Sequence, residues 1–434
     1  MSLVLDKKEI YTILSKRKFI KTKKQLLDML RITSKNFFYF TDNCEMLNHD
    51  KNLNPVMWQV CHVIYFFDNL IFKNLNGCER LNNFKLDQNY DSFLTPLEYR
   101  DYKRISYQEC VNYYKKLVNI LENYIINNEI TNIEAYLISL GILHNEMHNE
   151  AFIFCKLKLT NSFNFKINLD NNVDIIDNLE FIKYDGGRFR QGTDDQIDYL
   201  TFDNEMPSFI KSVKPFSISK YPITEYQFLQ FVKENGYTNE KYWCDVSYKW
   251  KNKNNISLPL YWYKTGDTYY KKINNKNISV NTNLPMSTIS YYEAKAYCKW
   301  KNVRLPTESE WEYVATNKGI SKFPWGDDLP DNVKCNINYK NFIQPVNSYN
   351  YGNNKKNVSQ LIGNIWEWCE QPIYPYNGFV IDPVYREMSY PFFGFKKICK
   401  GGCFAVQDFL IHPRYRNAQT PDCRIQFIGF RVCN

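Results

Sequence analysis

The sequence predicts an α+β protein of two domains, a helical bundle followed by a mixed domain of short strands and helices. A chain of 434 residues is longer than one hydrophobic core usually serves, which favours two domains. Apolar residues recur at helical spacing through the first 165 residues. Eight of the nine tryptophans then lie beyond residue 240, in short aromatic segments separated by Gly, Pro, Asn and Asp. We therefore expect domains at 1–165 and 178–434, joined by a polar linker at about 161–177.

Four stretches of the first domain have the periodicity of amphipathic helices: about 6–38, 56–72, 107–125 and 133–157. Four long helices with apolar faces favour a four-helix bundle, and bundles commonly build metal sites from facing helices. The second domain has few helical patterns, at 223–235, 291–301 and 308–316. Its remaining sequence predicts short strands and irregular structure.

The composition disfavours several classes of protein. The formal charge of +9 is spread along Lys- and Asn-rich stretches without a recognised module, which disfavours nucleic-acid binding. The first residues lack the apolar core of a signal peptide, and no run of 18 apolar residues occurs, so we expect a cytoplasmic protein without a membrane span. Thirteen cysteines without a CxxC pair indicate reduced thiols rather than a zinc site.

The histidines are the candidate metal ligands. The chain has only five, and two of them, His144 and His148, lie one turn apart on the fourth predicted helix. Their stripe is otherwise apolar, so two imidazoles need partners there, and one metal ion would satisfy both. His62, on the stripe of the second predicted helix, completes a triad if the helices meet. Glu150 points off the stripe and either forms a surface salt bridge or holds an imidazole N–H.

Three neutral imidazoles restrict the chemistry without fixing the metal. They leave coordination positions open and leave the ion its full +2 charge. Zinc-dependent hydrolysis and iron(II)-dependent oxygen chemistry both use such sites. The spacing of the histidines does not choose between the two metals.

Five motifs follow one another along the second domain. They are GGRFRQG at 186–192, RLPTESEWEY at 304–313, GNIWEW at 363–368, KGG at 400–402 and IGFR at 428–431. In this order they resemble the sulfatase-modifying-factor type of domain, a variant of the C-type-lectin fold, over nearly all of residues 182–433. Formylglycine-generating enzymes of this type bind copper through two cysteines after the Gly-Gly motif. Here Cys403 takes the usual serine position and no further cysteine follows before Cys423, which disfavours that activity.

The whole chain carries a second resemblance. His144, His148 and Glu150 form a His-x3-His-x-Glu pattern, and His62 ends a Pro-x-x-Trp-x-x-x-His pattern that begins at Pro55. With a helical bundle ahead of the second domain, this resembles the ergothioneine-pathway sulfoxide synthases, or hercynine oxygenases, which are non-haem iron enzymes with a DinB-like bundle. The resemblance implies that His62, His144 and His148 ligate Fe(2+).

The same resemblance implies oxidative C–S bond formation on small-molecule substrates. The iron would bring together the imidazole of hercynine, the thiolate of cysteine or γ-glutamylcysteine, and O2, and the product would be a sulfoxide. Members of the family place a tyrosine near the iron. Tyr374 and Tyr376, in the stretch 372–379, are the candidates for this catalytic role.

Candidate substrate-binding residues also follow from the resemblance. Arg416 and Asn417 stand where the family recognises hercynine, and Met147 stands where some relatives carry a glutamine that contacts substrate. Downstream the chain lacks the Trp-Asp and double Arg with which some members bind the thiol. A basic cluster could supply that carboxylate clamp or could be a solvated turn; its members are Arg100, Lys103 and Arg104.

Two other functions remain open. An ovothiol-type sulfoxide synthase acts on histidine at another ring carbon, and the stretches 372–376 and 382–385 resemble it, although a fused methyltransferase is missing. A selenium-using relative is a further variant. A non-catalytic lectin-like binding protein belongs to another class and predicts no affinity for iron.

Overall fold

The computed structural model describes residues 5–17, 19–51, 53–81, 88–100, 105–162, 165, 174–194 and 198–434. The chain divides into two compact units, which confirms the predicted α+β class with two domains. The helical unit comprises Met1–Thr160 with two returning segments, Asp194–Met206 and Gly378–Pro391, and the mixed unit comprises the rest. The predicted break near residue 165 is close to the observed one. The prediction of one continuous domain over 178–434 does not anticipate that two segments within it, Asp194–Met206 and Gly378–Pro391, return to the helical unit.

The described part of the helical unit contains helices α1 (Lys7–Leu14), α2 (Lys23–Thr41), α3 (Val56–Phe66), α4 (Tyr107–Asn127) and α5 (Asn132–Thr160). The opening helix predicted at 6–38 is therefore wrong, because the chain forms two helices there. Thr22 and Gln25 form a capping box in which each side chain accepts the other's backbone N–H, so a new helix begins at this point. Inside the described ranges, no helix combines the length and the apolar character that a membrane crossing requires.

Helix α3 is buried on all sides and stabilises the bundle from its centre. Every residue of α3 is buried, and the helix packs against α4 and α5. Helix α2 contacts the same two partners. A helix that is apolar all round is stable only inside a core, so α3 is the central element and its single histidine is enclosed.

A close approach between α5 and the end of α3 sets the separation of these helices. Helix α3 continues as a π-helical turn over Phe67–Ile71, a feature that often marks functional sites. A Cβ atom on Gly141 of α5 would lie 2.5 Å from Cε1 of Phe67 and 3.1 Å from Cγ1 of Ile71. Glycine therefore lets α5 pack directly against this turn, one helical turn before His144.

We expect Gly141→Ala to destabilise the helical unit by up to about 2 kcal/mol. Overpacking typically costs about 1–3 kcal/mol, and the better helix propensity of alanine offsets about 1 kcal/mol of it. The Phe67 side chain is 1% exposed and has little room to move away. Thermal melting followed by circular dichroism measures the change. Ser139→Ala on the same helix is the control, because the buried Ser139 hydroxyl has no partner within the described chain and its loss should not destabilise. Equal melting temperatures for the two variants would contradict the packing argument.

The mixed unit consists of small sheets and short helices. Its strands are β1 (Phe181–Tyr184), β2 (Gly187–Gln191), β3 (Phe209–Val213), β4 (Phe216–Ser219), β5 (Trp262–Thr265), β6 (Thr268–Ile273), β7 (Lys276–Ser279), β8 (Trp366–Pro372), β9 (Lys397–Lys400), β10 (Asn417–Gln419) and β11 (Ile428–Gly429). They pair as β1-β4, β2-β3, β5-β6-β7 and β10-β9-β8-β11, and only the β8-β11 pair is parallel among those described.

Helices of the mixed unit are α6 (Glu225–Lys233), α7 (Asp245–Lys253), α8 (Tyr291–Lys301) and α9 (Glu308–Ala315). The sequence predicts three of them within two residues at each end and misses α7. Thr307 caps α9, as expected, in a box with Glu310. Helix α7 is nine residues long and mostly polar, so it carries no clear apolar stripe.

Buried ion pairs connect the sequence motifs of this unit. Glu367 accepts hydrogen bonds from Arg431 at 2.6 and 2.7 Å and from the indole N–H of Trp311 at 2.8 Å. Lys400 lies 3.4 Å from Glu312, and neither side chain is exposed. The motifs therefore build the scaffold: charges placed far apart in the sequence neutralise each other inside it, which a buried charge requires.

Candidate metal centre

The three predicted ligand histidines lie together inside the helical unit. His62 comes from α3, and His144 and His148 come from successive turns of α5. One nitrogen from each ring lies within 4.8 Å of the others, and Nε2 of His62 is 3.1 Å from Nε2 of His144. The ring centroids are 4.8–5.0 Å apart for all three pairs. The three histidines therefore converge, as the hypothesis of a shared metal site requires.

Hydrogen bonds on the outer nitrogens orient two of the rings. Nδ1 of His62 lies 2.6 Å from the carbonyl oxygen of Tyr90 and must donate to it, which leaves an Nε2 lone pair facing His144. Nδ1 of His148 lies 3.1 Å from Oε1 of Gln59 and donates in the same way. Nδ1 of His144 is buried without a hydrogen-bond partner in the described chain. Inward lone pairs that face one another suit a bound cation, so these residues fit a metal ion.

The electrostatic environment keeps all three imidazoles neutral. Burial lowers the pKa of His62 to about 4, aided by the charge of Arg100 and opposed by the Tyr90 hydrogen bond. Burial first, and then the neighbouring histidines, hold the pKa of His144 and His148 well below the usual range. A neutral imidazole is the form that binds a metal, so the site requires no deprotonation at neutral pH.

Aromatic rings restrict the rotation of two of the imidazoles. Trp58 stacks on His62 with centroids 5.0 Å apart and planes 10° from parallel. Phe66 stacks on His144 at 3.7 Å and 9°. The guanidinium of Arg100 lies 4.2 Å above the Trp58 ring, which holds the outer face of this stack. The triad is thus fixed by packing before any ligand binds.

Gln59 is a site residue whose role the sequence does not predict. Its Nε2 donates to the carbonyl of Asn54 at 3.0 Å and lies 3.7 Å from Sγ of Cys155, so its Oε1 faces His148. The sequence suggests Glu150 for the bond to an imidazole, but the imidazole N–H groups of His62 and His148 go to Tyr90 and Gln59. The sequence contains one signal for this role. Gln59 is a polar residue in a mostly apolar helix, and a buried amide needs hydrogen-bond partners.

Tyr385 is the tyrosine next to the triad. It lies on the returning segment Gly378–Pro391 of the helical unit, with its ring centroid 5.3 Å from that of His144 and 5.0 Å from that of Phe66. Burial, with the nearby charges of Glu387 and Asp203, raises its pKa above the usual value. No side chain or carbonyl of the described residues forms a hydrogen bond with its hydroxyl, which leaves the O–H available to a ligand.

The two tyrosines that the resemblance suggests belong to the mixed unit. The Tyr376 hydroxyl is bonded to Gln191 at 3.2 Å and Glu308 at 3.1 Å, and Arg416 lies 4.1 Å above the ring. Tyr376 is therefore occupied by structural contacts. Tyr374 is 55% exposed. Tyr385 is a further candidate, because its ring contact with His144 is observed, and the catalytic roles of Tyr374 and Tyr376 stay predictions.

The predicted substrate-binding residues have different environments. Arg416 is 2% exposed and is committed to Glu308 through bonds of 2.5 and 3.1 Å, which suits a structural role better than the predicted contact with substrate. Asn417 is half-buried on β10, and its Oδ1 accepts the N–H of Ala418. Met147 is half-buried on α5.

The basic cluster is only partly described. Arg100 donates to the carbonyls of Ser92 and Thr95 and to Asn54, and burial lowers its pKa to about 10. Its charge acts on two histidines of the triad, so it lies close enough to influence an anionic ligand there. Lys103 and Arg104 lie outside the described residues. The clamp remains a prediction.

Asp203, on the returning segment Asp194–Met206, makes the helical unit sensitive to pH. Burial, together with nearby Asp382, raises its pKa to about 7 against the opposing hydrogen bond from Ser389. An aspartate in the unfolded chain titrates near 3.9. A raised pKa in the folded state means that this carboxyl favours folding fully below about pH 4, and that the contribution is lost as pH rises towards 7.

We expect the melting temperature of Asp203→Asn to fall less between pH 5 and 8 than that of the unmodified protein. The amide keeps an oxygen for the neighbouring N–H and has no charge to bury. Glu387 and the buried histidines titrate in both proteins, so the difference between the two pH profiles isolates Asp203. Parallel profiles would show that Asp203 does not titrate in this range.

Comparison with known proteins agrees with this architecture. Residues 173–434 match the model of the sulfatase-modifying factor enzyme 1-like domain. The chain is 31% identical to the hercynine oxygenase of Mycobacterium tuberculosis over 250 residues, covering 56% of this chain and 58% of that protein. It is 30% identical to the hercynine oxygenase of Mycolicibacterium thermoresistibile, covering 56% of each. The chain thus spans less than two thirds of the length of these relatives.

Two further proteins are similar to part of this chain. The formylglycine-generating enzyme of Thermomonospora curvata is 29% identical over 278 residues, covering 57% of this chain and 90% of that enzyme. Among solved structures, PvdO from Pseudomonas aeruginosa is 21% identical, with a TM-score of 0.42, covering 59% of this chain and 95% of that one. The family model covers more than half of the 434 residues. The chain belongs to the family of proteins that carry a sulfatase-modifying factor enzyme 1-like domain.

Proposed function

We propose that this protein is an iron(II)-dependent oxidoreductase that joins the sulfur of cysteine or γ-glutamylcysteine to the imidazole of hercynine. The observation that carries the proposal is the convergence of His62, His144 and His148 on one point of the helical unit. The likeness to hercynine oxygenases supports iron over zinc and hercynine as the substrate. The overall reaction balances: thiol, hercynine and O2 give the sulfoxide, with the second oxygen atom leaving as water.

Different residues of the chain have different roles in the proposed reaction. Iron held by the three imidazoles would supply redox chemistry and open coordination positions. Gln59 and the Tyr90 carbonyl keep Nε2 of His148 and His62 directed inward, and Trp58 and Phe66 keep two rings in place. His62 and His144 are buried, which shields them from water and strengthens the polar contacts made there, and His148 is partly exposed.

Tyr385 is proposed as the proton-bearing group of the site. Burial raises its pKa above the usual value, so the phenol is protonated at neutral pH, and its ring contacts that of His144. We expect Tyr385→Phe to lower kcat by about 100-fold or more, the usual range for loss of a general acid. Iron content should not change, because the ring contacts with Phe66 and His144 remain. Tyr374→Phe is the matched control, and a larger loss in that variant would return the role to the mixed unit.

The reaction itself is tested with the full chain loaded anaerobically with iron(II). Hercynine, cysteine or γ-glutamylcysteine, and O2 are then added, and products are identified by mass spectrometry. We expect a hercynine–thiol sulfoxide in at least one thiol arm and none with His144→Ala. Product with histidine alone would assign the ovothiol-type reaction. Iron retained without product in any arm would overturn the proposed function.

A further inference from the structure

Resting on the proposed function, we propose that Asp382 is a positioning residue that holds the Tyr385 ring against His144. Tyr136 and Arg17 in turn hold Asp382. The chain of contacts runs from α5 through a buried carboxylate to the loop that carries Tyr385, entirely inside the helical unit.

The two oxygens of Asp382 have separate partners. Oδ1 accepts the backbone N–H groups of Val384 and Tyr385, both at 2.8 Å. These two bonds fix the backbone at Tyr385 in an Asx-type turn. Oδ2 accepts the hydroxyl of Tyr136 at 2.5 Å and lies 3.7 Å from the Arg17 guanidinium. One oxygen therefore shapes the loop, and the other ties it to the rest of the unit.

Tyr136 connects this carboxylate to the metal ligands. It lies on α5 two turns before His144 and three before His148, so one helix carries both this residue and two of the triad histidines. Its ring stacks under Arg17, 5.4 Å from the guanidinium, and packs edge-on against Phe19. Any shift of α5 that moves the triad also moves the anchor of Tyr385.

A second carboxylate, that of Asp203, holds both ends of the loop that carries Tyr385. Oδ2 of Asp203 accepts the backbone N–H of Asp382 at 3.1 Å, and Oδ1 accepts the Ser389 hydroxyl at 2.6 Å. Tyr385 thus lies between two anchored ends, at 382 and 389. Asp382, Asp203 and Ser389 are at most 2% exposed. Buried carboxylates are expensive unless fully hydrogen-bonded, and here their bonds go to the segment that places Tyr385.

The first test uses hydrogen–deuterium exchange of the metal-free full chain, which does not depend on any reaction. We expect Asp382→Ala to speed exchange of the amides at 384–386 by about tenfold or more, because two of them lose their acceptor. Asp267→Ala, at an exposed hairpin tip, should leave them unchanged. Unchanged exchange in Asp382→Ala overturns the proposal whether or not the protein forms product.

The second test separates positioning from general stability. We expect Asp382→Ala to lower kcat on the order of 10- to 100-fold with little change in KM or iron content, as a misplaced reacting group does. Asp382→Asn should recover much of this, because its Oδ1 can still accept both amides. On a Tyr385→Phe background, Asp382→Ala should add little. An equal loss on both backgrounds would show that Asp382 does not act through Tyr385.

A milder variant covers the case in which Asp382→Ala fails to fold. Tyr136→Phe removes one hydroxyl bond to Oδ2 and leaves the loop bonds in place. We expect faster exchange at 384–386 and a smaller loss of kcat than in Asp382→Ala, while no effect on either would overturn the proposal. If the unmodified protein makes no product, the proposed function fails, and the exchange experiment still decides whether Asp382 anchors the loop.

Discussion

Replacing His144 with alanine is expected to abolish binding of iron(II) at the triad while the fold remains intact. Two imidazoles cannot hold the ion as three do, and Nδ1 of His144 has no hydrogen-bond partner among the described residues that would be lost. Iron bound only by the folded state stabilises it by about 2.7 kcal/mol at a free concentration of 100 Kd. Added iron(II) should therefore raise the melting temperature of the unmodified protein and leave that of His144→Ala unchanged.

Iron per chain is measured by elemental analysis after anaerobic loading and desalting, and melting is followed with and without iron(II). His49→Ala provides the matched control, because His49 is exposed and lies outside the triad. It should retain iron at the level of the unmodified protein. Full iron content in His144→Ala would show that the histidines are not the ligands.

Replacing Arg431 with methionine is expected to be among the most destabilising single changes in the mixed unit. The Arg431 side chain is not exposed at all, and its bonds to Glu367 are supplemented by bonds to the carbonyls of Ser219 and Ser359. Its loss leaves Glu367 as a buried carboxylate whose remaining partner among the described residues is the indole N–H of Trp311. Breaking a buried pair in this way costs about 3–5 kcal/mol.

Urea unfolding followed by tryptophan fluorescence measures this loss, because eight of the nine tryptophans lie beyond residue 240. Arg304→Met is the matched comparison. Arg304 pairs with Glu310 through two bonds of 2.7 Å but is 38% exposed, so water can replace it and the cost should be much smaller. Adding Glu367→Gln to Arg431→Met should recover part of the stability. Equal losses for Arg304→Met and Arg431→Met would contradict the role of burial.

Local patterns were predictable because their spacing follows from helix geometry. Apolar periodicity locates α4 and α5 to within a few residues, and a separation of four places His144 and His148 on one face. The break between α1 and α2 was missed because both sides have helical composition and the only signal is the cap at Thr22. The motifs of the mixed unit were recognised as scaffold, and the buried charges of Glu367 and Arg431 explain why they are needed.

The sequence by itself determined the two-domain class, the helices that carry the candidate ligands and the placement of His144 and His148 one turn apart, because each depends on residue type and short-range periodicity. Only the tertiary structure decided that Tyr385 contacts His144, that Gln59 bonds His148, and that Tyr136 bonds Asp382, which in turn accepts the backbone N–H of Tyr385. These contacts join segments up to 246 residues apart, and one of the segments is a loop without periodicity. Long-range closure of this kind depends on how the whole chain packs, and no local pattern encodes it.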